Sequence, residues 1–291
     1  MRVFLLFIIL CIASCDIIDP KEEIPGFIEI NSIDLDIRQP GDPGFTVPEG
    51  TSSSDIRDAW VFINDNLDGV YELPARIPVP TGDNVLRVSP GIFNNGIAKD
   101  RVIYPFFNDH LQDIDLIEQE VIEIEPTVEY FEGQQIFWHE EFEEASVKIE
   151  SLPQSTSNIF SIFDPIVSFE GGGCGSIQLT DDEDHFEAQT IANLDIAFNT
   201  TLYLELNYKN TNRFTIGMRN DFTDNERVSL AGFNPSLNEN GEAEWKKAYV
   251  FLTPILASLG GSSDFEIFIS ADKEVEEPMI LLDNLKIVYS N

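Results

Sequence analysis

Short runs of β-branched and aromatic residues, interrupted by Gly, Pro, Asn or Asp, recur along the chain and constrain its fold more than any other feature. They include FIEI at 27–30, AWVFI at 59–63, VLRV at 85–88, IEI at 122–124, YLEL at 203–206, FTI at 214–216 and FEIFI at 265–269. Several alternate apolar with polar residues, which is the period of a strand with one buried face. The best helical stretch, 246–259, begins like a strand and contains Pro254, which ends or interrupts a helix. The sequence therefore predicts an all-β protein built of packed sheets.

The length of 291 residues is enough for about two domains at roughly 150 residues each. We predict a signal peptide at 1–14, a lipid-bearing tether at 15–26, and two β-sandwich domains at 27–132 and 133–291. The charge is extreme, because 17 Lys and Arg face 52 Asp and Glu, a net charge of −35. Such a chain repels phosphate backbones and anionic lipid headgroups, so nucleic acid is excluded as a partner.

The N-terminus predicts export and a lipid anchor. Met1 and Arg2 precede an apolar run from Val3 to Ile12, which is shorter than the roughly 20 residues that a membrane-spanning helix needs. It is typical of a signal peptide. The next residues, Ile12-Ala13-Ser14-Cys15, resemble the lipobox of bacterial lipoproteins, in which the cysteine receives diacylglycerol before cleavage. The resemblance implies a membrane anchor at Cys15; the alternative is an ordinary secretory signal in which Cys15 is incidental.

The residues after Cys15 bear on which membrane holds the anchor. Asp16, Asp19, Glu22 and Glu23 lie in a polar stretch that resembles the surface-export signals of Bacteroidota lipoproteins. This implies an outer-membrane protein facing the cell surface. In enterobacteria an Asp directly after the cysteine implies retention in the inner membrane, so the source organism decides between the two.

Cys174 is the one cysteine left after removal of the leader and lipidation of Cys15. An unpaired thiol in an oxidising compartment is a liability, so we expect Cys174 to be buried as a small apolar side chain.

The first domain contains a stretch, 55–90, that resembles a PEGA-type module. The resemblance consists of the strand Trp60 to Ile63, the turn Asn64 to Gly69 and the segment Pro80 to Val88. It implies a small Ig-like or transthyretin-like sandwich that acts as a spacer or docking domain.

The second domain opens with the acidic-aromatic segment 140–144, has a Trp-Lys strand at 245–252 and closes with the apolar segment 279–288 around Asp283-Asn284. This order resembles the jelly rolls of carbohydrate-binding modules and galactose-binding-like domains. The resemblance implies a structural calcium ion that ties the first strand to the last, with Glu143 and Asp283 as the matching positions. The alternative is that Asp283-Asn284 forms a β-bulge and Glu143 is a solvated charge.

If the jelly roll binds sugar, exposed aromatic side chains would stack on the rings while polar side chains bind the hydroxyls. Residues in turn-like contexts are the candidates, and they are Tyr208, Arg213, Phe222 and Phe233, with Asn207 and Asn210 as polar partners.

The sequence predicts no enzyme. The string Asp113 to Glu118 resembles the Glu-x-Asp-x-x-Glu strand of retaining laminarinase-like glycosidases. However, Asp113 stands where that family has a nucleophilic Glu, and a retaining mechanism needs its carboxyls about 5 Å apart. The predicted function is a non-catalytic envelope lipoprotein that binds glycan or assists polysaccharide uptake. The alternative is a structural subunit that docks on an outer-membrane complex and binds no small ligand.

Overall fold

The computed structural model describes residues 23–38, 49–132, 135–191, 194–195, 200–220, 226–258 and 264–290. Cys15 and the predicted leader lie outside these residues. Nearly all the regular structure is β, which confirms the all-β prediction. Within the described ranges the single helix, α1 (Thr253–Ser258), has six residues, and no helix there could span a membrane.

The described residues of the first domain form ten strands. They are β1 (Gly26–Ile30), β2 (Asp34–Asp36), β3 (Asp58–Ile63), β4 (Asn66–Glu72), β5 (Ala75–Val79), β6 (Gly82–Phe93), β7 (Arg101–Ile103), β8 (His110–Leu116), β9 (Val121–Ile124) and β10 (Thr127–Glu129). They form a five-stranded sheet of β4, β3, β6, β7 and β8, a three-stranded sheet β5-β1-β9, and the pair β10-β2. These sheets enclose one apolar core that includes Ile28, Val61, Ile77 and Val88.

In the part of the second domain that the structure describes there are twelve strands. They are β11 (Gln135–Glu140), β12 (Ile149–Ser151), β13 (Ile159–Ile162), β14 (Cys174–Ile177), β15 (His185–Thr190), β16 (Leu194–Asp195), β17 (Thr201–Asn210), β18 (Phe214–Asn220), β19 (Glu226–Phe233), β20 (Lys246–Phe251), β21 (Asp264–Asp272) and β22 (Ile280–Ser290). One six-stranded sheet, sheet I, has the order β13-β14-β22-β17-β20, with β11 also paired to β22. The other, sheet II, has the order β12-β15-β21-β18-β19, with β16 also paired to β21.

Alternation along the strands explains the sandwich in the second domain. On β15, Phe186 and Ala188 point into a core shared by both sheets, whereas Glu187 and Gln189 point away from it. Sheets I and II both contribute to this core, for example through Leu204 of β17. We use "outer face" for the side of a sheet that is turned away from the core of its own sandwich.

Two local features explain the strand ends. Asn64 and Asp65 have positive φ angles of 51° and 64°, as a tight hairpin turn between β3 and β4 requires. In the stretch 246–259 the strand-like start is β20, and Pro254 lies in the first turn of α1, where a proline is tolerated.

Cys174 is fully buried at the start of β14, which confirms its predicted burial. Burial raises the pKa of its thiol to about 11, so the thiol is held in its protonated, unreactive form.

Candidate ligand-binding cleft

The first domain covers the outer face of sheet I at β17, β20 and β22. Glu205 of β17 has no exposed surface, and its Oε1 accepts hydrogen bonds of 2.7 Å from the hydroxyls of Tyr104 and Tyr130. Its Oε2 forms ion pairs with Lys247 Nζ at 3.1 Å and Lys286 Nζ at 3.7 Å. We call these five residues the Glu205 cluster. It joins both domains through buried charge, so this part of the face is closed to a ligand.

The charges of the Glu205 cluster are set by burial and by each other. Burial raises the pKa of Glu205, but Lys286, Lys247 and the two phenol hydrogen bonds outweigh it and keep the pKa below its usual value. Burial lowers the pKa of Lys286 to about 8, against the opposing effect of Glu205. The carboxylate is therefore ionised and serves as the counter-charge for two buried lysines.

Aromatic packing seals the same interface. Tyr203, Tyr249 and Val288 of sheet I belong to the apolar core of the first domain. The ring of Tyr104 lies 4.8 Å from that of Tyr249 and 5.2 Å from that of Tyr203, measured between centroids. The two domains thus share one continuous core at this interface.

Sheet II has an open outer face, and a cleft of about 640 Å³ lies on it. The side chains that line this cleft come from four strands and the segment after β12. They are Glu150, Ser151, Leu152, Pro153, Gln154, Glu187, Gln189, Arg219 and Arg227. None of these lining residues is aromatic, so the chemistry of the cleft is that of amides, carboxylates and guanidinium groups.

Hydrogen bonds hold the polar side chains of the cleft in two rows. In the first row, Gln189 Nε2 donates to Glu150 Oε1 at 2.9 Å, and Arg219 Nη1 donates to Gln189 Oε1 at 2.6 Å. In the second row, Glu187 Oε1 accepts from Gln154 Nε2 at 2.8 Å and also from Arg227 Nη1. Each row runs across the strands, so donors and acceptors alternate along the cleft.

Glu187 connects the second row to one end of the cleft. Burial raises its pKa, but hydrogen bonds from Arg227 and Gln154 outweigh the burial and bring the pKa below its usual value. Its Oε2 also lies 3.6 Å from His185 Nε2, and Nδ1 of this histidine is 2.7 Å from Asp272 Oδ1. Glu187 is therefore a fixed, ionised acceptor.

A glycine and a phenylalanine form the sheet surface next to the two rows. Gly217 on β18 is paired with Phe268 on β21, and Phe268 is paired with Gln189 on β15. A Cβ at Gly217 would lie 2.2 Å from the carbonyl oxygen of Val228 and 2.6 Å from Cε1 of Phe268. Only glycine fits there, because the ring of Phe268 occupies the space that a side chain would need.

The sequence-predicted ligand residues do not come together in this cleft. Phe233 is buried and stacks on Phe214 with a centroid distance of 4.6 Å, and the half-buried Tyr208 packs edge-on against both rings. These two residues belong to the sandwich core, because β17 and β19 continue through the stretches that we interpreted as turns. Their predicted exposure is corrected accordingly.

The two predicted polar partners are also buried. Asn207 lies at the domain interface and donates to Ser53 Oγ at 3.0 Å. Asn210 donates to the carbonyl oxygens of Asn212 and Asn234, so it fixes a chain reversal. Arg213 is exposed but lies outside the cleft lining, and Phe222 lies outside the described residues.

The predicted calcium ligands contact one loop instead of each other. Glu143 Oε1 accepts hydrogen bonds from the amides of Gly172 and Gly173 at 2.8 and 3.2 Å. Asp283 accepts from the amides of Phe169 at 3.1 Å and Asn284 at 2.9 Å. Amide N–H groups rather than oxygen atoms surround both carboxylates, whereas calcium takes six to eight oxygen ligands.

This donor set does not fit calcium, and the described residues contain no group of three or more His, Cys, Asp or Glu that could hold a metal ion. Asn284, with φ of 47°, marks a β-bulge opposite β17, which is the alternative interpretation of Asp283-Asn284. The calcium site itself stays a prediction.

The cleft residues were missed by sequence reasoning because they are distributed over distant segments. Glu187 and Gln189 alternate with Phe186 and Ala188, which is a strand pattern visible in the sequence. That pattern could have identified two polar residues on an outer face. It carries no information on which other strands bring Glu150, Arg219 and Arg227 beside them.

No protein-family model matches the chain, and no curated protein matches it. Among solved structures it is similar to the CBM22-1 xylan-binding domain of Paenibacillus barcinonensis Xyn10C, with 10% identity, 55% of this chain and 97% of that chain covered, and a TM-score of 0.37. It is also similar to a family 29 carbohydrate-binding module, with 10% identity, 53% of this chain and 87% of that chain covered, and a TM-score of 0.34. An arabinose-bound α-L-arabinofuranosidase matches at 10% identity, with 49% of this chain and 23% of that chain covered and a TM-score of 0.37. At these values the likeness describes a partial backbone similarity and identifies no ligand.

Proposed function

We propose that this chain is a non-catalytic glycan-binding protein of the cell envelope and that its ligand binds in the cleft of sheet II. The observation that carries the proposal is the open cleft of about 640 Å³, lined by two rows of mutually hydrogen-bonded Gln, Glu and Arg side chains. Sugar hydroxyls both donate and accept hydrogen bonds, so alternating donors and acceptors match them. On sheet I, the first domain covers the outer face around the Glu205 cluster.

The order within the cleft supports affinity. Side chains that are already held by neighbours lose less conformational entropy when a ligand arrives. Gln154, Glu187 and Arg227 hold one another before any ligand binds. Because no aromatic side chain lines the cleft, we expect hydrogen bonds rather than ring stacking to supply most of the selectivity.

Isothermal titration with a panel of soluble polysaccharides tests this proposal. We expect at least one polysaccharide to bind and Gln154→Ala and Gln189→Ala each to weaken it about tenfold, which corresponds to roughly 1.4 kcal/mol. Gln112→Ala, at an exposed glutamine on β8 of the first domain, is the matched control and leaves binding unchanged. Equal affinity in all four proteins would place the ligand elsewhere, and no binding by any of them would reject the function.

We propose that the protein is held on the outer membrane, facing the cell surface, by lipid at Cys15. The support is the apolar leader followed by Ile12-Ala13-Ser14-Cys15. Mass spectrometry of the native N-terminus is expected to show the leader removed and a diacylglyceryl thioether at Cys15. Cys15→Ser is expected to abolish membrane association. An unmodified residue 15 would contradict the anchor, and protection of the protein from added protease in intact cells would contradict the surface location.

A second candidate function is docking on an outer-membrane complex. Phe160, Phe163 and Ile166 lie within seven positions of each other and expose 50, 57 and 93% of their surface, which is unusual for large apolar side chains so close together. Under this function, crosslinking in intact cells captures a membrane complex, and the triple change of these residues to Ser abolishes the capture. Under the glycan function alone, neither the wild type nor the triple variant captures a complex, and the triple variant keeps full polysaccharide affinity.

A further inference from the structure

Two of the few basic side chains of this acidic protein lie side by side at one end of the cleft. The whole chain has 17 Lys and Arg against 52 Asp and Glu, yet Arg219 of β18 and Arg227 of β19 are directly opposite each other in the strand register. Both line the cleft. Nearby carboxylates offset the repulsion between these like charges, because Glu187 is bonded to Arg227 and the buried Glu266 lies opposite Arg219 in the register of β18 and β21.

The two guanidinium groups have different surroundings. Arg219 Nη1 donates to the amide oxygen of Gln189 at 2.6 Å, and the buried Glu266 of β21 lies opposite Arg219 in the strand register. Arg227 Nη1 donates to Glu187 Oε1, and 53% of its side chain remains exposed. A guanidinium carries several N–H donors in a planar fork that fits the two oxygens of a carboxylate. Arg227 can therefore keep its bond to Glu187 and present its other edge to a ligand.

The other end of the cleft, at β12, carries a carboxylate and an amide instead of guanidinium groups. Glu150 lies on β12, and its Oε1 accepts from the amide of Gln189. The cleft thus runs from carboxylate and amide groups at β12 to paired guanidinium groups at β18 and β19. A ligand that matches both ends carries hydroxyls along its length and a negative charge at one side.

We propose, on the basis of the proposed function, that the ligand is a uronic acid-containing glycan whose carboxylate binds at Arg227 and Arg219. The planar carboxylate matches the fork of Arg227, and the ring hydroxyls match Gln154, Gln189 and Glu150. At physiological ionic strength the Debye length is about 8 Å, so most of the negative charge of the protein is screened at the cleft while a direct guanidinium contact persists.

The test compares each acidic polysaccharide with its own uncharged form. The full-length protein in detergent is titrated with polygalacturonate, alginate and hyaluronan, and with the carboxyl-reduced derivative of each. We expect at least one acidic polysaccharide to bind about ten times more tightly than its reduced form. Arg227→Gln is expected to abolish this preference, and Arg227→Lys to keep part of it.

Arg76→Gln, at a half-exposed arginine on β5 of the first domain, is the control and keeps the preference. Arg219→Gln is the second variant, and a melting curve of each variant verifies folding. Equal binding of acidic and reduced forms, an undiminished preference in Arg227→Gln, or a stronger preference for a sulfated dextran would overturn the carboxylate assignment while glycan binding stands. Failure of every polysaccharide, neutral ones included, would overturn the proposed function and this inference together.

Discussion

At the scale of single residues, the structure explains why one glycine in the cleft cannot be replaced. Gly217→Ala brings a Cβ to 2.2 Å from the carbonyl oxygen of Val228 and 2.6 Å from the ring of Phe268. Overpacking of this kind costs about 1–3 kcal/mol, and the displaced ring would also disturb the cleft. We therefore expect Gly217→Ala to lower the free energy of unfolding in urea by this amount and to weaken ligand binding.

A matched control for this prediction lies on the neighbouring strand β19. A Cβ at Gly232 would meet only a guanidinium nitrogen of Arg213, at 3.8 Å. Gly232→Ala is expected to leave both stability and binding close to wild type. Similar losses in the two variants would indicate that the strand backbone, and not the space beside Phe268, requires glycine.

A second residue-scale prediction concerns the pH dependence contributed by Asp283. Burial raises the pKa of its carboxyl from 3.8 to about 7. Between these two pH values the folded state binds more protons at this site than the unfolded chain, so the contribution of Asp283 to stability falls as the pH rises. Asp283→Asn has no such proton to lose. Urea unfolding across this window is expected to show the variant gaining stability relative to wild type as the pH increases; parallel curves would contradict the raised pKa.

A third prediction tests the calcium site that the sequence predicts at Glu143 and Asp283. Because backbone N–H groups donate to Glu143 Oε1 and to both oxygens of Asp283, we expect neither calcium nor a chelator to change the melting midpoint. A midpoint that rises with calcium in the wild type, and not in Glu143→Gln or Asp283→Asn, would instead establish the site that the sequence predicts.

At the scale of strands, the sequence predicted elements well and the contacts of their outer faces poorly. The predicted runs at 203–206 and 265–269 fall within β17 and β21, because alternation is a local property. The partner of an outward side chain is a long-range property: Glu205 and Tyr104 are 101 positions apart in the chain. For the same reason the alternation in β15 indicated outward polar residues without indicating the cleft that they form.

The Glu205 cluster gives a prediction about β17 and its neighbours. Glu205→Gln removes the counter-charge of Lys247 and Lys286, and loss of one partner of a buried ion pair costs about 3–5 kcal/mol. We expect a decrease of this size in the free energy of unfolding, measured in urea at neutral pH. The control is Glu29→Gln in β1, where the exposed pair with Arg76 at 3.8 Å contributes at most about 1 kcal/mol. Equal, small effects of the two changes would mean that the Glu205 cluster contributes no more than a surface ion pair.

At the scale of the whole molecule, the covered face of sheet I determines how the protein can function. The first domain is more than a spacer, because its Tyr104 and Tyr130 complete the surroundings of a buried charge in the second domain. The proposed binding site lies on the opposite side of the sandwich, on sheet II. A lipid tether at the start of the first domain would attach the chain to the membrane through the domain that contacts sheet I. The cleft lies on sheet II, the sheet of the second domain that faces away from the first domain.

The shared core predicts that the two domains unfold together. Tyr249 contributes to the core of the first domain, its hydroxyl accepts from the amide of Asp55 at 3.1 Å, and its carbonyl accepts from the amide of Asn95 at 2.8 Å. Calorimetry of the wild type is expected to show a single transition whose calorimetric and van't Hoff enthalpies agree.

Tyr249→Ala removes the ring that bridges the two cores while keeping the backbone bond, so we expect a lower midpoint and two resolved transitions. Tyr289→Ala on β22, a partly buried tyrosine that packs against the core of the second domain, is expected to lower the midpoint without splitting it. Two separate transitions already present in the wild type would show that the domains fold independently and that the interface only orients them.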